Sequence, residues 1–415
     1  MSVRDRSHLN VHRSRHGRRR RHGGRQLTTL ACAALFFLTP TIVHSLGVHA
    51  AQFENRALAT FGDPRNGWAW LTGLPAWAAD NLPLRDSAVR ATEALSRGVF
   101  GEPAALPAAR PDPAVTPAPR PSITEFPSVI EGREGWLYLG ADVSGACVPS
   151  RSLTDTLISL RRLRATVEAS GRQFVLVVAP NKTTMVPEHL PADYPGRDCA
   201  ARTRDEFWRR VVTEAGAIDL RPALAEIARR KGSPVYYPGD THWSQEGGLA
   251  MTYALADRVH PGITRTWQVA PTGSTPWPDD ISPLIGRRDT HSIPTYSLAP
   301  AGQADRTRSI PSDFRVPLRL TSAPAAGTVD RPVRMIADSF TQFASSYVAA
   351  AFTDITIVHP ETVGAAPALA GKLLAGGKIV VLEVAERNLV SGASPILLQP
   401  VITEIAHQLS QHPPP

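Results

Sequence analysis

Three residue types that perform acyl transfer lie in two short motifs of this 415-residue chain. The first motif contains Asp240 and His242, and the second contains Ser339. A serine hydroxyl becomes a nucleophile when a histidine removes its proton, and a carboxylate can fix the tautomer of that histidine. The three residues are therefore candidates for a catalytic triad.

Each motif also has a purely structural interpretation. Ser339 follows the apolar segment Val333–Ala337 and precedes a helical pattern, so Asp338 or Ser339 could simply cap that helix. If Ser339 is instead a nucleophile, the helix N-terminus supplies N–H groups for an oxyanion. Asp240 and His242 could belong to an exposed turn. No further His or Cys lies at zinc-ligand spacing, so we predict no metal, although a cation site with oxygen ligands remains open.

Four neighbouring residues are candidates for substrate binding. Tyr237 and Trp243 flank the Asp-His motif, and their ring faces suit the C–H surfaces of sugar rings; core packing is the alternative. Asn181 and Lys182 follow a predicted strand and could donate hydrogen bonds to an oxyanion; a surface turn is the alternative.

Strand and helix patterns alternate from about residue 128 onward, with Ser244 placed to cap one of the helices. Strands are predicted at Phe174–Ala179, at a segment that ends at Asp219, and at Val235–Tyr237, Arg334–Ala337, Asp354–Val358 and Lys378–Val384. Helices are predicted at Leu153–Val167, Asp205–Ala215, Pro222–Arg230, Glu246–Val259, Phe340–Phe352 and Ile396–Leu409. Residues 263–328 are turn-rich and carry no assignment. The alternation predicts an α/β fold in which helices flank both faces of a parallel sheet, with sites at the carboxyl ends of the strands.

The basic character of the chain belongs to its N-terminal tail. Residues 1–26 carry nine Arg and one Asp, which accounts for the whole formal charge of +8, so no nucleic-acid partner is predicted. Residues 27–51 have no charged side chain and exceed the length of about 20 residues that spans a bilayer. Because basic flanks stay in the cytoplasm, we predict a cytoplasmic tail, a transmembrane signal anchor at residues 27–51, and a domain outside the cell membrane. A cleaved signal peptide is the alternative, since Val48-His49-Ala50 suits cleavage.

Three segments are predicted beyond the anchor. Residues 52–102 show a helical pattern and form a juxtamembrane segment, and residues 103–121 contain seven prolines, which favours an extended linker. Residues 128–412 are predicted to form the catalytic domain. Cys147 and Cys199 lie in this exported part, where disulfides persist, and they could pair.

The two motifs, in this order, resemble the signature blocks of a known family. Asp240-Thr-His242-Trp243 and Ala337-Asp338-Ser339-Phe340 resemble those of the alginate O-acetyltransferase AlgJ/AlgX type, whose members are SGNH-hydrolase-like proteins. The resemblance extends from about residue 53 to residue 390. It is also carried by Glu54-Asn55-Arg56, Asp80–Arg85, Glu131–Leu139, Ala179–Lys182 with Val186–Pro191, Asp280–Gly286 and Glu383–Asn388.

The resemblance implies both roles and a reaction. Ser339 is expected to be the nucleophile, His242 its general base and Asp240 the residue that orients the base. The implied function is transfer of an acetyl group, through an acetyl-serine, to hydroxyls of a cell-surface or secreted polysaccharide. No cofactor is implied, and a membrane-bound O-acyltransferase is the implied supplier of acetyl groups. The alternatives are a carbohydrate acetylesterase or deacetylase with the same triad, and a non-catalytic polysaccharide-binding assembly subunit.

Two further features bear on the site. Ala337 stands where the family usually has a glycine before Asp-Ser, and a positive φ there would cost alanine about 1 kcal/mol or more. Glu386 and Arg387 are interpreted as a structural ion pair and not as catalytic groups.

Overall fold

The computed structural model describes most of the chain from residue 20 onward. The described residues are 20–48, 58–81, 83, 85–101, 104, 126–311 and 313–415. Several predicted features lie outside the described residues. They are residues 1–19 of the tail, His49 and Ala50, Glu54–Arg56, and the linker apart from residue 104. The chain divides into two compact units, and the boundary between their described residues falls after Ala88.

The N-terminal unit is helical. It contains α1 (Arg20–Ser45), α2 (Trp68–Asn81) and the first residues of α3 (Arg85–Phe100). The end of α2 is held to the segment before it, because Asp80 accepts the N–H of Ala59 at 3.0 Å and Asn81 donates to the carbonyl of the same residue at 2.8 Å. Two helices thus lie within the segment whose pattern predicted helix.

Membrane-spanning character was tested on the described helices. Among the described residues, none of the single helices is long and apolar enough to cross a bilayer. Within the same part of the chain, only the pair Glu386–Leu397 and Gln399–Gln411 reaches that length and composition, and the two helices of this pair are bent by 53°. The transmembrane anchor at residues 27–51 stays a prediction.

Ten strands are described, all in the second unit. They are β1 (Val129–Glu131), β2 (Leu137–Leu139), β3 (Gln173–Ala179), β4 (Ile218–Asp219), β5 (Gln268–Pro278), β6 (Thr290–Ala299), β7 (Leu318–Thr321), β8 (Val333–Ile336), β9 (Asp354–Val358) and β10 (Ile379–Ala385). Six form the central sheet in the order β4-β3-β10-β8-β9-β7, while β1–β2 and β5–β6 form two antiparallel hairpins. Every pair in the central sheet is parallel except β7 with β9. The predicted α/β fold is confirmed, with one antiparallel edge strand added.

The helices of this unit cover the sheet. The α-helices after α3 are α4 (Ala141–Cys147), α5 (Leu153–Ala169), α6 (Lys182–Met185), α7 (Arg197–Ala215), α8 (Arg221–Lys231), α9 (Gln245–Val259), α10 (Ser345–Ala351), α11 (Pro360–Ala365), α12 (Pro367–Ala375), α13 (Glu386–Val390) and α14 (Gln399–Gln411). Short 3-10 helices include Ser282–Ile285 and Ser339–Phe343.

Apolar side chains on the two faces of the sheet build two cores. In β3 the side chains of Phe174, Leu176 and Val178 point into one core, and those of Val175 and Val177 point into the other. This follows from the two-residue period of a strand. The first core contains apolar residues of α5, α7, α12 and α14, and the second contains those of α9 and α10. Burial on both faces explains why β3 is apolar from Phe174 to Ala179.

Three sequence predictions about local structure were wrong or incomplete. Residues 263–328 hold the long hairpin β5–β6 and the edge strand β7. Val235–Tyr237 is not a strand: Tyr236 makes only an isolated bridge with Trp243, because the chain turns back between these two residues. The helix predicted at Phe340–Phe352 begins as a 3-10 turn, since the N–H of Thr341 bonds three residues back to the carbonyl of Asp338.

Candidate active site

Ser339 lies at the carboxyl end of β8, near the middle of the sheet. The strand geometry continues up to it, because the N–H of Ala337 donates to the carbonyl of Val358 at 3.0 Å. Among the described residues other than glycine, only Glu134 and Ala301 have a positive φ. Ala337 is therefore unstrained, and the concern raised by its replacement of glycine was wrong.

Asp338 fixes the turn that carries the serine. Its side chain accepts the N–H of Phe340 at 3.1 Å, the N–H of Ala385 at 2.6 Å and the side-chain amide of Asn388 at 3.2 Å. The predicted capping role thus belongs to Asp338 and leaves the hydroxyl of Ser339 available. Because Asp338 caps the turn, a structural role for this residue and a nucleophilic role for Ser339 do not exclude each other.

The structure brings the two distant motifs into one hydrogen-bonded chain. Nδ1 of His242 lies 2.7 Å from Oδ1 of Asp240, and Nε2 lies 2.8 Å from Oγ of Ser339. Asp240 also accepts the backbone N–H of His242 at 2.9 Å. The serine and the histidine are 97 residues apart in the sequence. This geometry permits proton transfer from the serine hydroxyl to the imidazole.

Burial differs along this chain of groups. Asp240 and His242 are 0% and 1% exposed, whereas Ser339 is partly exposed. Burial by itself raises the pKa of Asp240, but the charge and hydrogen bonds of His242 outweigh it and hold that pKa below its usual value. Burial lowers the pKa of His242, but the charges of Asp240 and Asp280 outweigh it and raise that pKa above 6.5. The ionised carboxylate stabilises the imidazolium that proton transfer would form.

The loop that carries Asp240 is held by a buried lysine. Nζ of Lys182 donates to the carbonyls of Tyr237, Pro238 and Asp240, at 3.0, 2.9 and 2.7 Å. Because these bonds use all three ammonium hydrogens, Lys182 is not free to donate to an oxyanion. Burial lowers the pKa of Lys182 to about 8. Its predicted role at the oxyanion was wrong, and it positions the loop instead.

A glycine and a tryptophan set the conformation of the same loop. A Cβ atom on Gly239 would lie 1.7 Å from Oδ2 of Asp279, so only glycine fits there. Nε1 of Trp243 donates to the carbonyl of Phe340 at 3.0 Å, which ties the Asp-His motif to the serine turn. Trp243 is 0% exposed, so its predicted stacking on a sugar was wrong and its ring belongs to the core.

Tyr237 and Asn181, the remaining candidates for substrate binding, contact different groups near the site. Tyr237 is partly exposed, and His291 stacks on its ring with 3.9 Å between the ring centroids, so one face is covered. Oδ1 of Asn181 accepts the backbone N–H of Arg387 at 3.1 Å. Roles for Tyr237 and Asn181 in binding stay predictions.

Glu386 and Arg387 do not form the ion pair predicted from the sequence. Glu386 is buried and accepts the backbone N–H of Asn181 at 2.9 Å and the hydroxyl of Thr184. Burial raises the pKa of Glu386 to about 7. The side chain of Arg387 is directed to Asp142, 4.0 Å away. Adjacent residues at the start of a helix point in different directions, which separates the two charges.

Asp280 is a functional candidate that the sequence analysis did not single out. It accepts the backbone N–H of Thr241 at 2.7 Å and the Thr241 hydroxyl at 2.5 Å, and its Oδ2 lies 3.5 Å from Nδ1 of His242. Burial and then the charge of Asp240 raise its pKa to about 6. Asp280 follows β5, which the sequence pattern did not predict, so no signal placed it beside His242.

The acidic groups around His242 also resemble a set of metal ligands. Asp240, His242 and Asp280 place one ligand atom each within 4.8 Å of one another. However, Asp240 and Ser339 already engage both imidazole nitrogens. The donor set therefore fits proton transfer better than metal binding.

A disulfide lies beside the sheet in the same unit. Cys147 at the end of α4 and Cys199 in α7 are bonded, with 5.6 Å between their Cα atoms. Ser244 precedes α9 as predicted, but its hydroxyl donates to Glu246 at 2.5 Å and does not accept a backbone N–H of the helix.

Comparison with known protein families identifies part of this unit. Residues 129–275 match the family described as the SGNH hydrolase-like domain of the acetyltransferase AlgX. The chain is 29% identical over 133 residues to the "Probable alginate O-acetylase AlgJ" of Pseudomonas fluorescens. It is 30% identical over 135 residues to the protein of the same name from Pseudomonas syringae. Each match covers 32% of this chain and 34% of the relative, so the chain matches about a third of these relatives' length.

Solved structures give a similar result at lower similarity. The O-acetyltransferase domain of Pseudomonas putida AlgJ has 19% identity and a TM-score of 0.44, covering 63% of this chain and 92% of that domain. AlgX of Pseudomonas aeruginosa has 16% identity and a TM-score of 0.43, covering 65% of each chain. Both TM-scores are below 0.5, so the comparison rests on the sequence matches, which confirm the predicted resemblance to the AlgJ/AlgX type over about a third of this chain.

Proposed function

We propose that this chain is a polysaccharide O-acetyltransferase, because its residues 129–275 match the SGNH hydrolase-like domain of the acetyltransferase AlgX. The observation that carries the proposal is the hydrogen-bonded chain from Asp240 through His242 to Ser339. Three buried or partly buried groups in this order have the geometry of a serine nucleophile with its base. The relatives named as alginate O-acetylases make a polysaccharide the acceptor to test first.

In the first half-reaction His242 accepts the hydroxyl proton of Ser339 while Oγ attacks the carbonyl carbon of an acetyl donor. The carbonyl electron pair moves to oxygen and gives a tetrahedral oxyanion. The C–O bond to the leaving group then breaks, and His242 returns the proton to that group. The product is an acetyl ester of Ser339, and Asp240 stabilises the imidazolium throughout.

In the second half-reaction a sugar hydroxyl takes the place of the leaving group. His242 removes the hydroxyl proton, and the sugar oxygen attacks the acetyl-serine carbonyl. Collapse of the second oxyanion breaks the bond to Oγ, and the proton on His242 returns to Ser339. The cycle needs no cofactor, because each step is a proton transfer or an acyl transfer.

The proposal includes a place and a partner. We propose that residues 27–51 anchor the chain in the cell membrane with the catalytic unit outside the cytoplasm. Their freedom from charge and the Arg-rich residues before them support this orientation. A membrane-bound O-acyltransferase would then supply acetyl groups from the cytoplasmic side.

Acetyl transfer to an oligosaccharide tests the function. Purified protein is incubated with p-nitrophenyl acetate and alginate oligosaccharides, and acetylated sugars are detected by mass spectrometry. Wild type should form an acetyl-enzyme and acetylated oligosaccharides. Ser339→Ala should form neither, while the control Ser345→Ala, a buried serine in α10, should retain both. Unchanged transfer by Ser339→Ala would contradict the proposal and favour a non-catalytic subunit.

An acetylesterase with the same triad is the second candidate. Partial exposure of Ser339 gives water a route to the acetyl-serine. Release of acetate without any acetylated sugar, at acceptor concentrations that saturate binding, would favour this alternative.

A further inference from the structure

The proposed reaction needs at least two donors around the oxyanion, and the serine turn supplies only one. The N–H of Phe340 is bonded to the side chain of Asp338 at 3.1 Å, and the N–H of Thr341 is bonded to the Asp338 carbonyl at 3.2 Å. Lys182 has no hydrogen left to donate. Of these groups, only the backbone N–H of Ser339 remains for the oxyanion. Preorganised donors are usually the largest single source of rate enhancement in acyl transfer, so a second donor is expected.

Arg387 lies at the same edge of the sheet as Ser339, where it could provide this second donor. It belongs to the first turn of α13, which follows β10, and β10 is the direct neighbour of β8. Its guanidinium carbon lies 5.3 Å above the ring of Phe340, the residue after Ser339. The ring of Phe340 also contacts His242 edge-on, with centroids 5.0 Å apart. The guanidinium and the catalytic base thus share one aromatic neighbour.

The donors of Arg387 are not used by the fold. Its side chain is only 16% exposed, and its ion pair with Oδ1 of Asp142 is 4.0 Å long, which exceeds hydrogen-bond length. Its backbone N–H donates to Asn181 and its carbonyl accepts the N–H of Ser391, but among the described residues no hydrogen-bond partner is found for its guanidinium. An arginine that is largely withdrawn from water and has unused donors is placed to bind an anion.

We propose that Arg387 donates to the oxyanion that forms at the acetyl carbonyl on Ser339. The proposal rests on the proposed acetyl transfer and adds a catalytic group to it. Bond making and breaking are unchanged: Arg387 keeps its proton and donates hydrogen bonds to the oxygen while that atom carries the negative charge. A guanidinium suits this role because it stays charged in proteins and offers five N–H donors in a fixed planar arrangement.

The charge of Arg387 also acts on the catalytic base. Asp240, Asp280 and Arg387 are the charged groups among the described residues that act most on His242, and of these three Arg387 is the positive one. Arg387 lowers the pKa of His242, against the effect of the two carboxylates. Its replacement by a neutral residue should raise the pKa of His242 and move the acid limb of the pH–rate profile to higher pH.

Formation of the acetyl-serine distinguishes stabilisation of the oxyanion from binding of the sugar acceptor, because this half-reaction contains no acceptor. The burst of p-nitrophenolate from p-nitrophenyl acetate is followed by stopped flow for wild type, Arg387→Met, Arg387→Lys and Arg387→Ala. Arg387→Met should slow the burst about 10²–10³-fold with little change in the half-saturating ester concentration. Added guanidinium chloride should restore part of the Arg387→Ala rate, and Arg387→Lys should fall between wild type and Arg387→Met.

The controls distinguish the possible failures. Arg221→Met is the matched control, because Arg221 also lies over an aromatic ring, that of Trp208, at 4.2 Å. It should leave the burst and its pH profile unchanged. A wild-type burst rate in Arg387→Met, or a slower transfer to sugar with an unchanged burst, would overturn the oxyanion role; the latter result would indicate acceptor binding. An unchanged burst in Ser339→Ala would instead overturn the proposed function itself.

Discussion

At the scale of single residues, the two carboxylates beside His242 govern its protonation. Asp280 raises the pKa of His242 and also holds the loop through Thr241. Asp280→Asn keeps an acceptor for the Thr241 N–H but removes the charge. The pKa of His242 should therefore fall, so the acid limb of kcat/KM should move to lower pH. The measurement is the pH profile of the nitrophenolate burst.

The control for this change is Asp205→Asn, because Asp205 is an exposed acid in α7. That variant should reproduce the wild-type profile. An acid limb that stays in place in Asp280→Asn would show that Asp280 supports only the structure of the loop.

Glu383 is a second acid whose protonation the fold controls. It is fully buried in β10 and accepts the N–H of Asp338 and the hydroxyl of Thr341. Burial, followed by the charge of Asp338, raises its pKa well above the usual value. The folded state therefore binds a proton that the unfolded state releases above about pH 4.3. The stability that this group contributes is complete below that pH and is lost as the pH rises toward the raised pKa.

We expect Glu383→Gln to remove this part of the pH dependence. Within the window the slope is about 1.4 kcal/mol per pH unit for one proton. Urea unfolding of wild type and variant between pH 5 and pH 8 measures the difference. The variant should gain stability relative to wild type as the pH rises, and Glu168→Gln, an exposed glutamate of α5, should show no such gain. Parallel curves for Glu383→Gln and wild type would contradict a protonated Glu383.

The hydrogen bonds that join Asp240, His242 and Ser339 show which contacts can be predicted from single residues of a sequence. Asp240 and His242 could be paired in advance because one short loop holds both, and Ser339 was a candidate because it lies just beyond an apolar segment that precedes a helical pattern. Asp280 and Arg387 could not be found in this way. Their importance arises from neighbours supplied by distant segments, and an isolated Asp or Arg gives no local pattern.

At the scale of elements, the disulfide joins two helices that pack beside the sheet. Cys147 and Cys199 are 52 residues apart, and a cross-link of this span should stabilise the fold by about 2–4 kcal/mol, mainly by restricting the unfolded chain. Urea unfolding with and without dithiothreitol measures the contribution. The double variant with Cys147→Ser and Cys199→Ser should be less stable than oxidised wild type and insensitive to the reductant. Equal stability of the oxidised and reduced wild type would contradict the expectation.

The elements that escaped prediction share a physical cause. β5 is almost entirely exposed and contains three prolines, so neither apolar alternation nor strand propensity marks it. Its structure comes from pairing with β6, including the opposition of Trp277 and His291. In contrast, β10 is buried throughout and β3 from its second residue onward, and their apolar runs were sufficient to predict them.

At the scale of the whole molecule, the chain combines a catalytic unit with a proposed anchor. A variant that lacks residues 1–51 should leave the membrane fraction, whereas the full chain should remain there after a carbonate wash. The reason is that residues 27–51 carry the long uncharged apolar segment. Membrane fractionation with immunoblotting checks the result, and the control is a full-length chain with Cys32→Ser. A full chain found in the soluble fraction would favour the cleaved signal peptide.

The unequal exposure of Ser339 and His242 has a consequence for chemical labelling. A free imidazole is readily acylated at neutral pH, while an ordinary serine is inert. In this protein the order should be reversed, because His242 is 1% exposed whereas Ser339 is partly exposed. A sulfonyl fluoride should modify Ser339 rapidly, and diethyl pyrocarbonate should modify the surface histidines while the enzyme remains active. Reagents should therefore reach Ser339 before they reach His242. Inhibitors of this site should be sought among electrophiles that react with serine.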